Sequence, residues 1–337
     1  MDLKQLCTFY ATSGDEGRLR RALLEEALTL CGAENVKIDR SGNVLCFKKG
    51  TEAGRPHVCV SAHMDEVGFI IMGATEDGLL RFRPVGSIDS RVVVSKRVLV
   101  GEGLIPGVIG ALAIHLQSAA DRDRVLGFDG LYIDIGAKDK DEALAKCPPA
   151  TYAYFDTPFT PFGDSFVCAK ALDDRVGCYN LLELMRESYP GDVTFAFLTQ
   201  EECNLRGSMG AAYTVQPDIN INLEGTAAND LGDVDSQFEV CCPAHGVAVS
   251  FMDRTSIGQR RLFKKLLALA DEHAIPHQVK RGVTGGNDAA SFQQTPGGAL
   301  SCVLSVPCRY IHSGASVCCL ADIDAQFALT RAFLLNA

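Results

Sequence analysis

The sequence has no Trp and no pair of Cys residues spaced as C-x-x-C, although it contains 14 Cys. The missing spacing argues against a zinc ribbon and against a thioredoxin-like redox site. No N-terminal stretch combines a basic start, an apolar core and a small-residue cleavage site, so we expect no signal peptide. We therefore expect free thiols in a reducing, cytoplasmic compartment.

An excess of basic charge and an uninterrupted membrane-length apolar run are also missing. The 32 Lys and Arg are outnumbered by 42 Asp and Glu, which gives a net charge of −10. This charge argues against a nucleic-acid partner and against an anionic membrane surface. Residues 98–116 are apolar enough to be considered as a membrane span, but Glu102, Pro106 and His115 interrupt this stretch. We interpret it as short strands joined by Gly turns.

What is present suffices for a large core. The chain has 337 residues, of which 47% are hydrophobic and 22% charged, as in ordinary globular proteins with room for two domains. Apolar strands alternate with helices in both end regions, which predicts an α/β fold with a mostly parallel central sheet flanked by helices. The predicted strands are 43–47, 57–61, 193–198, 219–223 and 302–306, and the predicted helices are 171–187, 205–215, 261–273 and 322–336.

The first long helix has its own start signal. The run from Ser13 to Glu16 fits a capping box, and Leu19, Leu23 and Ala27 then recur at helical spacing. We therefore expect a capped helix that packs its apolar face on the sheet.

The pattern changes between residues 67 and 163. Short β-like pieces at 69–72, 79–82, 92–94, 98–100 and 131–135 alternate with Gly, Pro and Asp turns, and 141–145 is helical. This pattern predicts a small β-barrel or sandwich inserted in the larger domain. The chain then divides into 1–66, 67–163 and 164–337.

Ionisable residues follow two of the predicted buried strands. His63 and Asp65 come after the first strand, and the adjacent Glu201 and Glu202 come after the second. Parallel strands of open α/β sheets present their carboxyl ends at one edge, where ligand sites form. Histidine and carboxylates are ligands of hydrolytic metal ions.

Further candidates end at the same predicted edge. Glu224 follows the strand at 219–223, His312 follows the strand at 302–306, and Asp173 opens the helix at 171–187 beside Asp174. Each signal alone has a structural explanation, because Asp caps helices and acidic pairs usually lie in solvent. Together they predict two zinc-like ions that share a bridging carboxylate. A carboxylate that is not a ligand would act as the general base, and Asp65 is suitably placed to orient His63.

The residues resemble the glutamyl aminopeptidase and deblocking-aminopeptidase family of dinuclear metallopeptidases, whose members build tetrahedral (TET) dodecamers. The resemblance covers nearly the whole chain in the family's order. Its segments are Ala62-His63-Met64-Asp65-Glu66-Val67-Gly68, Gly107-Val108-Ile109-Gly110, Ala171-Leu172-Asp173-Asp174-Arg175, Thr199-Gln200-Glu201-Glu202, Gly285-Gly286-Asn287-Asp288-Ala289 and Arg309-Tyr310-Ile311-His312-Ser313.

The resemblance implies a role for each ligand. His63 and Glu224 would bind the first metal ion, and Glu202 and His312 would bind the second. Asp173 would bridge both ions, which would be zinc or cobalt. Many family members have Asp where this chain has Glu224; Glu also ligates zinc, so we expect activity to survive with shifted geometry or metal preference.

The resemblance also implies the reaction and the assembly. Glu201 would be the general base, Asp65 would orient His63, and metal-activated water would release N-terminal residues from peptides. The inserted region would be a PDZ-like domain that contributes to a tetrahedral homododecamer, with no nucleic-acid or membrane partner. The alternatives are a related N-acyl amino acid amidohydrolase and a non-catalytic assembly subunit.

Overall fold

The computed structural model describes residues 1–232 and 235–337. Within these residues no helix is long and apolar enough to cross a membrane. The helices are α1 (Leu3–Thr8), α2 (Gly17–Cys31), α3 (Ala119–Arg122), α4 (Lys140–Lys146), α5 (Leu172–Leu184), α6 (Arg206–Val215), α7 (Arg260–Glu272), α8 (Ala289–Gln294) and α9 (Leu320–Leu335).

The strands belong to two separate sheets. The large sheet contains β1 (Val36–Ile38), β2 (Val44–Lys48), β3 (Val58–His63), β10 (Thr160–Phe162), β11 (Phe166–Ala169), β12 (Val193–Leu198), β13 (Ile219–Ala227), β14 (Val247–Ser250), β15 (His277–Lys280), β16 (Leu300–Arg309) and β17 (Ser316–Cys319). The second sheet contains β4 (Gly68–Ala74), β5 (Leu80–Val85), β6 (Arg97–Val100), β7 (Ile105–Ala111), β8 (Leu131–Asp134) and β9 (Tyr152–Phe155).

The large sheet is parallel at its centre. Its order is β1-β2-β12-β3-β13-β16-β17-β11-β10, and β14 pairs with β15 and β16. The central strands β12, β3, β13 and β16 are parallel neighbours, whereas the outer strands β1, β2, β17, β11 and β10 pair antiparallel. The carboxyl ends of the four central strands therefore meet at one edge, as the sequence predicts.

Apolar side chains of the central strands divide between two faces. Val60 on β3 belongs to a core that includes residues of α2, α5, α7 and α9, such as Leu329. Cys59, one position earlier, packs in another core with Ala211 of α6 and Phe292 of α8. Because successive strand residues point to opposite faces, helices cover both faces of the sheet. The predicted α/β fold is confirmed.

The second sheet closes into a barrel in the order β4-β5-β8-β7-β6-β9. It has its own core, in which the Phe69 ring lies 5.1 Å from the ring of Phe82 and 5.0 Å from that of Phe155, both in edge contacts. The stretch 98–116 supplies β6 and β7, so its interpretation as short strands is confirmed. The domain limits at 67 and 163 stay a prediction.

Two local predictions are wrong. Glu16 is the N-cap residue of α2 but makes no capping hydrogen bond, because its Oε1 accepts from the backbone of Gly14 and Gln200 instead, while Ser13 donates to Asp65. The apolar run 92–94 is not a strand, since a 3₁₀ turn covers Ser90–Val92 after the Asp89 side chain caps Arg91. In both places a tertiary or turn hydrogen bond outweighs the local pattern.

Candidate metal centre

Strands β3 and β12 bring the first two motifs together. His63 at the end of β3 is level with Leu198 at the end of β12, and the Met64 N–H donates to the Leu198 carbonyl over 2.7 Å. The Asp65 carboxylate accepts hydrogen bonds from the backbone N–H groups of Glu201 and Glu202, at 3.0 and 3.2 Å. Asp65 therefore fixes the backbone of the Glu pair relative to His63.

Asp65 also lies beside the His63 ring. Its Oδ1 is 3.5 Å from His63 Nδ1, and its backbone carbonyl is 3.1 Å from the same nitrogen. The Ser13 hydroxyl donates to Asp65 Oδ2 over 2.6 Å. With Nδ1 occupied in this way, the Nε2 atom of His63 faces the candidate centre.

His63 Nε2 meets three carboxylates. Its distances are 3.3 Å to Asp173 Oδ1, 3.6 Å to Glu224 Oε2 and 3.9 Å to Glu201 Oε2. Glu224 lies within β13, where its side chain is almost fully buried. A nitrogen and several carboxylate oxygens thus converge on one point.

His312 forms a second group around the same aspartate. Its Nε2 lies 3.4 Å from Asp173 Oδ2 and 3.2 Å from Glu202 Oε1. His312 follows β16 and has a left-handed backbone, with φ of 56°. Asp173 therefore presents one oxygen to each histidine, so the predicted ligands form two groups that share this carboxylate.

The backbone at the start of α5 sets the position of Asp173. Asp173 and Asp174 have non-helical φ and ψ values, and the peptide bond between them is cis. Asp174 accepts hydrogen bonds from the N–H groups of Gly177 and His63, at 3.0 and 3.3 Å. Asp174 thus ties the start of α5 to the end of β3.

Asp174 is also a possible ligand. Ligand atoms of His63, Asp174 and Glu224 lie within 4.8 Å of one another, and so do those of His63, Asp173 and Glu202. Both Asp174 oxygens already accept from backbone N–H groups, whereas each Asp173 oxygen faces a histidine nitrogen. We therefore favour Asp173 as the ligand that both groups share.

Electrostatics around the groups favour a cation. Burial raises the pKa of Glu224 to about 7, and burial also raises the pKa of Glu201 well above its usual range. Burial lowers the pKa of His312, but Glu202 and Asp173 outweigh it and raise that pKa to about 11. Burial disfavours the charged form of each carboxyl, and the neighbouring carboxylates favour the charged form of His312. The donor set of imidazole and carboxylate fits a divalent ion.

The centre opens into a cavity of about 740 Å³. Its lining includes the carboxylates and histidine of the centre, Asp173, Glu201, Glu202, Glu224 and His312, and also Asp253, Arg254 and Lys280. Its volume is in the range of small-molecule sites. A substrate in this cavity would contact the carboxylates directly.

Comparison with known proteins identifies the family. A model of the M42 glutamyl aminopeptidase family matches residues 42–329. A putative aminopeptidase of Acetivibrio thermocellus is 33% identical over 96% of this chain and 94% of its own length. The chain belongs to the M42 peptidase family. A lysyl aminopeptidase of Pyrococcus furiosus is 31% identical over 90% of this chain and 87% of its own length.

Similar solved structures support the same family assignment. An aminopeptidase from the archaeon Desulfurococcus kamchatkensis has a TM-score of 0.94 and 29% identity, covering 99% of this chain and 94% of that chain. The Pyrococcus horikoshii TET1 peptidase has a TM-score of 0.87 and 31% identity, covering 99% and 98%. The M42 chain is thus a peptide hydrolase of the metallopeptidase type, and the resemblance seen in the sequence is confirmed.

Sequence reasoning missed a buried ion cluster beside the centre of this M42 chain. Lys170 Nζ contacts Glu66 at 2.8 Å, and Arg175 Nη2 contacts it at 3.3 Å, with all three side chains at most 3% exposed. Lys170 directly follows β11, shortly before Asp173, and Arg175 lies shortly after Asp173. Glu66 and Arg175 belong to the matching segments, but those segments give no signal that the charges pair.

Asp288 is a second omission. It follows Asn287 at the start of α8 and is fully buried, and among residues 1–232 and 235–337 neither of its oxygens accepts a hydrogen bond of full geometry, with the Ser208 hydroxyl close by. Burial and the nearby Glu224 raise its pKa to about 8. Asp288 lies in one of the segments that resemble the family, but an Asp at the start of a helix is equally consistent with an ordinary N-cap.

Proposed function

We propose that this M42 chain is a dinuclear metal aminopeptidase that releases N-terminal residues from peptides. The observation that carries the proposal is the position of Asp173, whose two oxygens lie 3.3 and 3.4 Å from the Nε2 atoms of His63 and His312. A carboxylate between two imidazoles is suited to hold two neighbouring ions.

Five residues would hold the ions. His63 and Glu224 would bind the first and Glu202 and His312 the second, with Asp173 shared by both. Such a pair would supply Lewis acidity and would lower the pKa of a bound water toward about 7. Zinc and cobalt suit this donor set, and we propose one of them as the native metal.

Glu201 would transfer the proton. It lines the cavity, its Oε2 is 3.9 Å from His63 Nε2, and the hydrogen bond from its backbone N–H to Asp65 fixes its position. Its carboxylate would take a proton from the attacking water and deliver it to the leaving amine. Asp65 would keep His63 in the orientation that presents Nε2.

The larger organisation is part of the proposal. We propose the division into 1–66, 67–163 and 164–337, a cytoplasmic location, and assembly into a tetrahedral homododecamer. The TET1 peptidase assembles into a tetrahedron or a large octahedral shell. Exposed apolar residues of the inserted region, such as Leu112 and Ile114, supply surface for contacts between copies.

A peptide assay tests the activity. Protein reconstituted with zinc or cobalt should release the N-terminal residue from short peptides and leave N-acylated peptides intact. Glu201→Gln should lower kcat by at least about 10²-fold, because the proton carrier is lost, while the metal content stays unchanged. Glu25→Gln is the matched control, because Glu25 is exposed on α2.

Three results would contradict the proposal. Wild-type turnover in Glu201→Gln would remove Glu201 from the mechanism. Preference for acylated substrates would indicate an N-acyl amino acid amidohydrolase. A chain that binds metal poorly and hydrolyses none of these substrates would indicate a non-catalytic subunit.

A further inference from the structure

A row of polar side chains on β13 lies where a parallel sheet is normally apolar. Asn220, Asn222 and Glu224 alternate along this strand, and each is at most 6% exposed. Side chains two residues apart on a strand share a face, so the three lie in one row. Central strands covered on both faces usually carry apolar residues throughout. Buried amides cost free energy unless they have hydrogen-bond partners, so the partners of these amides indicate their role.

The Asn222 amide connects Glu224 to strand β3. Its Nδ2 donates to Glu224 Oε1 over 2.8 Å, and its Oδ1 accepts from the Ser61 hydroxyl over 2.6 Å. Ser61 is the register partner of Asn222 in the parallel pair of β3 and β13, and both side chains are fully buried. Because both ends of the amide have a partner, Asn222 is held in one orientation.

The charge of Glu224 sets the direction of the hydrogen bonds in this row. A carboxylate that binds a metal ion is ionised and only accepts, so the Asn222 amide must present its NH₂ group to it. The amide oxygen then faces Ser61, whose hydroxyl must donate. The Ser61 oxygen accepts in turn from Asn220 Nδ2 over 2.9 Å. The arrangement of donors in the row therefore suits an ionised Glu224.

The two carboxylate oxygens of Glu224 have different surroundings. Oε1 accepts the hydrogen bond from Asn222, whereas Oε2 lies 3.6 Å from His63 Nε2 at the candidate centre. The Asn222 amide thus turns Oε2 toward the position of the first ion. It also competes with that ion for Oε1, which favours binding through one oxygen over binding through both.

Glu224 requires such a restraint because its side chain is long. Glu has one more rotatable bond than Asp, and ordering that bond costs conformational entropy. Gln326 Nε2 donates to the Glu224 carbonyl over 3.1 Å, which fixes the backbone but not the carboxylate. A buried donor of fixed orientation supplies the missing restraint at Oε1.

A further contact restrains the same amide from the cavity side. The Oδ1 atom of Asn287, a residue of the cavity wall, lies 3.4 Å from Asn222 Nδ2. Asn287 is itself fixed, because its Nδ2 donates to Asp253 Oδ2 over 2.6 Å. The NH₂ group of Asn222 therefore has an acceptor for each of its two hydrogens.

We propose that Asn222, oriented by Ser61, is a positioning residue that holds Glu224 so that Oε2 alone binds the first metal ion. The inference rests on the proposed two-ion function and concerns the affinity and coordination of its first ion. Hydrogen-bond partners orient metal ligands, and their loss typically lowers metal affinity by about 10- to 100-fold. Asn222 thus controls how tightly His63 and Glu224 bind their ion.

Cobalt binding to the metal-free protein measures this role separately from turnover. Asn222→Leu keeps the branched shape of the side chain and removes its hydrogen-bonding groups. We expect one of the two ions to bind roughly 10- to 100-fold more weakly, while the other keeps its affinity. The visible absorption of the weakened ion should also change, because Glu224 Oε1 becomes free to join its coordination.

Asn220→Leu is the matched control. Asn220 is equally buried in the same row, and its Nδ2 contacts Ser61 and the Cys59 carbonyl. The variant should lose stability, as any buried amide substitution would, but keep both cobalt affinities, because Ser61 can donate to Asn222 without it.

Ser61→Ala tests the role independently should Asn222→Leu fail to fold. It leaves the Asn222 oxygen without its donor, so the amide can turn away from Glu224. We expect the same ion to bind roughly 2- to 10-fold more weakly, which corresponds to the loss of one hydrogen bond.

A double-mutant cycle shows whether Asn222 acts through Glu224. Glu224→Ala should weaken the same ion by itself. Adding Asn222→Leu should then have almost no further effect, because the carboxylate that Asn222 holds is absent. Equal losses of affinity in the presence and absence of Glu224 would overturn the positioning role.

The inference and the proposed function fail differently. Cobalt affinities in Asn222→Leu that equal those of Asn220→Leu would overturn the positioning role and leave the two-ion centre intact, and so would wild-type affinities in Ser61→Ala. Wild-type protein that binds fewer than two cobalt ions per chain would overturn the proposed function itself.

Discussion

At the scale of single residues, the site depends on one carboxylate with two histidine neighbours. One carboxylate oxygen of Asp173 lies beside His63 and the other beside His312. Both contacts offset the free-energy cost of burying this carboxylate. Burial raises the pKa of Asp173, but the two histidines outweigh it and hold that pKa well below its usual range. The carboxylate is therefore ionised and available to a metal at neutral pH.

Loss of His312 should separate the two ions. His312→Ala removes one of the nitrogen donors and leaves His63, Glu224 and Asp173 in place, so metal analysis should find bound ions falling from two per chain to one. His277→Ala is the control, since His277 lies outside the centre near Asp271. Two firmly bound ions in His312→Ala would contradict the assignment.

The metal-free protein should lose stability as the pH rises. The folded pKa of Glu224, about 7, is above its ordinary value of 4.5, so the folded state holds more protons than the unfolded state between these values. The raised pKa of His312, from 6.5 to about 11, acts in the same direction at higher pH. The free energy of unfolding should therefore fall as the pH increases.

Thermal melts of chelator-treated protein at about pH 5 and about pH 8 measure this effect. We expect a lower midpoint at the higher pH, and a smaller difference in Glu224→Gln, which cannot ionise at that position. Bound metal should reduce the dependence, because the ions replace the protons. A midpoint of the metal-free protein that rises between these pH values would contradict the electrostatic account.

At the scale of elements, strand ends and helix starts place the site. The sequence predicts β12 from residue 193 to residue 198, as observed, because a continuous apolar run is a strong strand signal. It also predicts that His63, Glu202, Glu224 and His312 follow neighbouring strands. We could predict that these residues converge, because the carboxyl ends of parallel strands lie at one edge of the sheet. The roles assigned to these residues stay predictions.

Other features of the elements could not be predicted. The start of α5 lies in residues with non-helical backbone, and the charges of Lys170 and Glu66 pair across a sequence separation of 104 residues. Lys280 is the last residue of β15, and the sequence of this short strand does not distinguish a cavity from solvent. Such contacts depend on which strands become neighbours, and local periodicity carries no information on that pairing.

The buried ion cluster should be a structural element of the centre. Lys170→Met removes one of the two cations around Glu66, so the free energy of unfolding should fall by about 3 kcal/mol, as for other broken buried ion pairs. Lys138→Met, in an exposed pair with Asp139, should change it by less than about 1 kcal/mol. Chemical denaturation of both variants compares them, and equal stabilities would contradict this role.

At the scale of the whole molecule, the large sheet and the barrel are built around separate hydrophobic cores. The large sheet carries the ligands, and the barrel packs around its own aromatic core. The inserted region exposes Val108, Leu112, Ile114 and Leu116. These exposed apolar residues lie close together along the chain, which supports the proposal that the barrel contributes to assembly.

Assembly can be measured directly. Light scattering should give a mass of about twelve times the 36.2 kDa chain. Ile114→Asp should shift the protein to smaller species, because a charge in an apolar contact between copies is costly. A wild-type monomer, or a variant with unchanged mass, would contradict the proposed interface.

The central claim is a two-ion hydrolytic centre built around Asp173. The most direct test titrates cobalt into metal-free protein and follows release of an N-terminal residue against bound cobalt per chain. We predict that turnover increases until two ions are bound and then stays constant, and that Asp173→Asn never reaches this level. Full activity with one bound ion, or full activity in Asp173→Asn, would contradict the account.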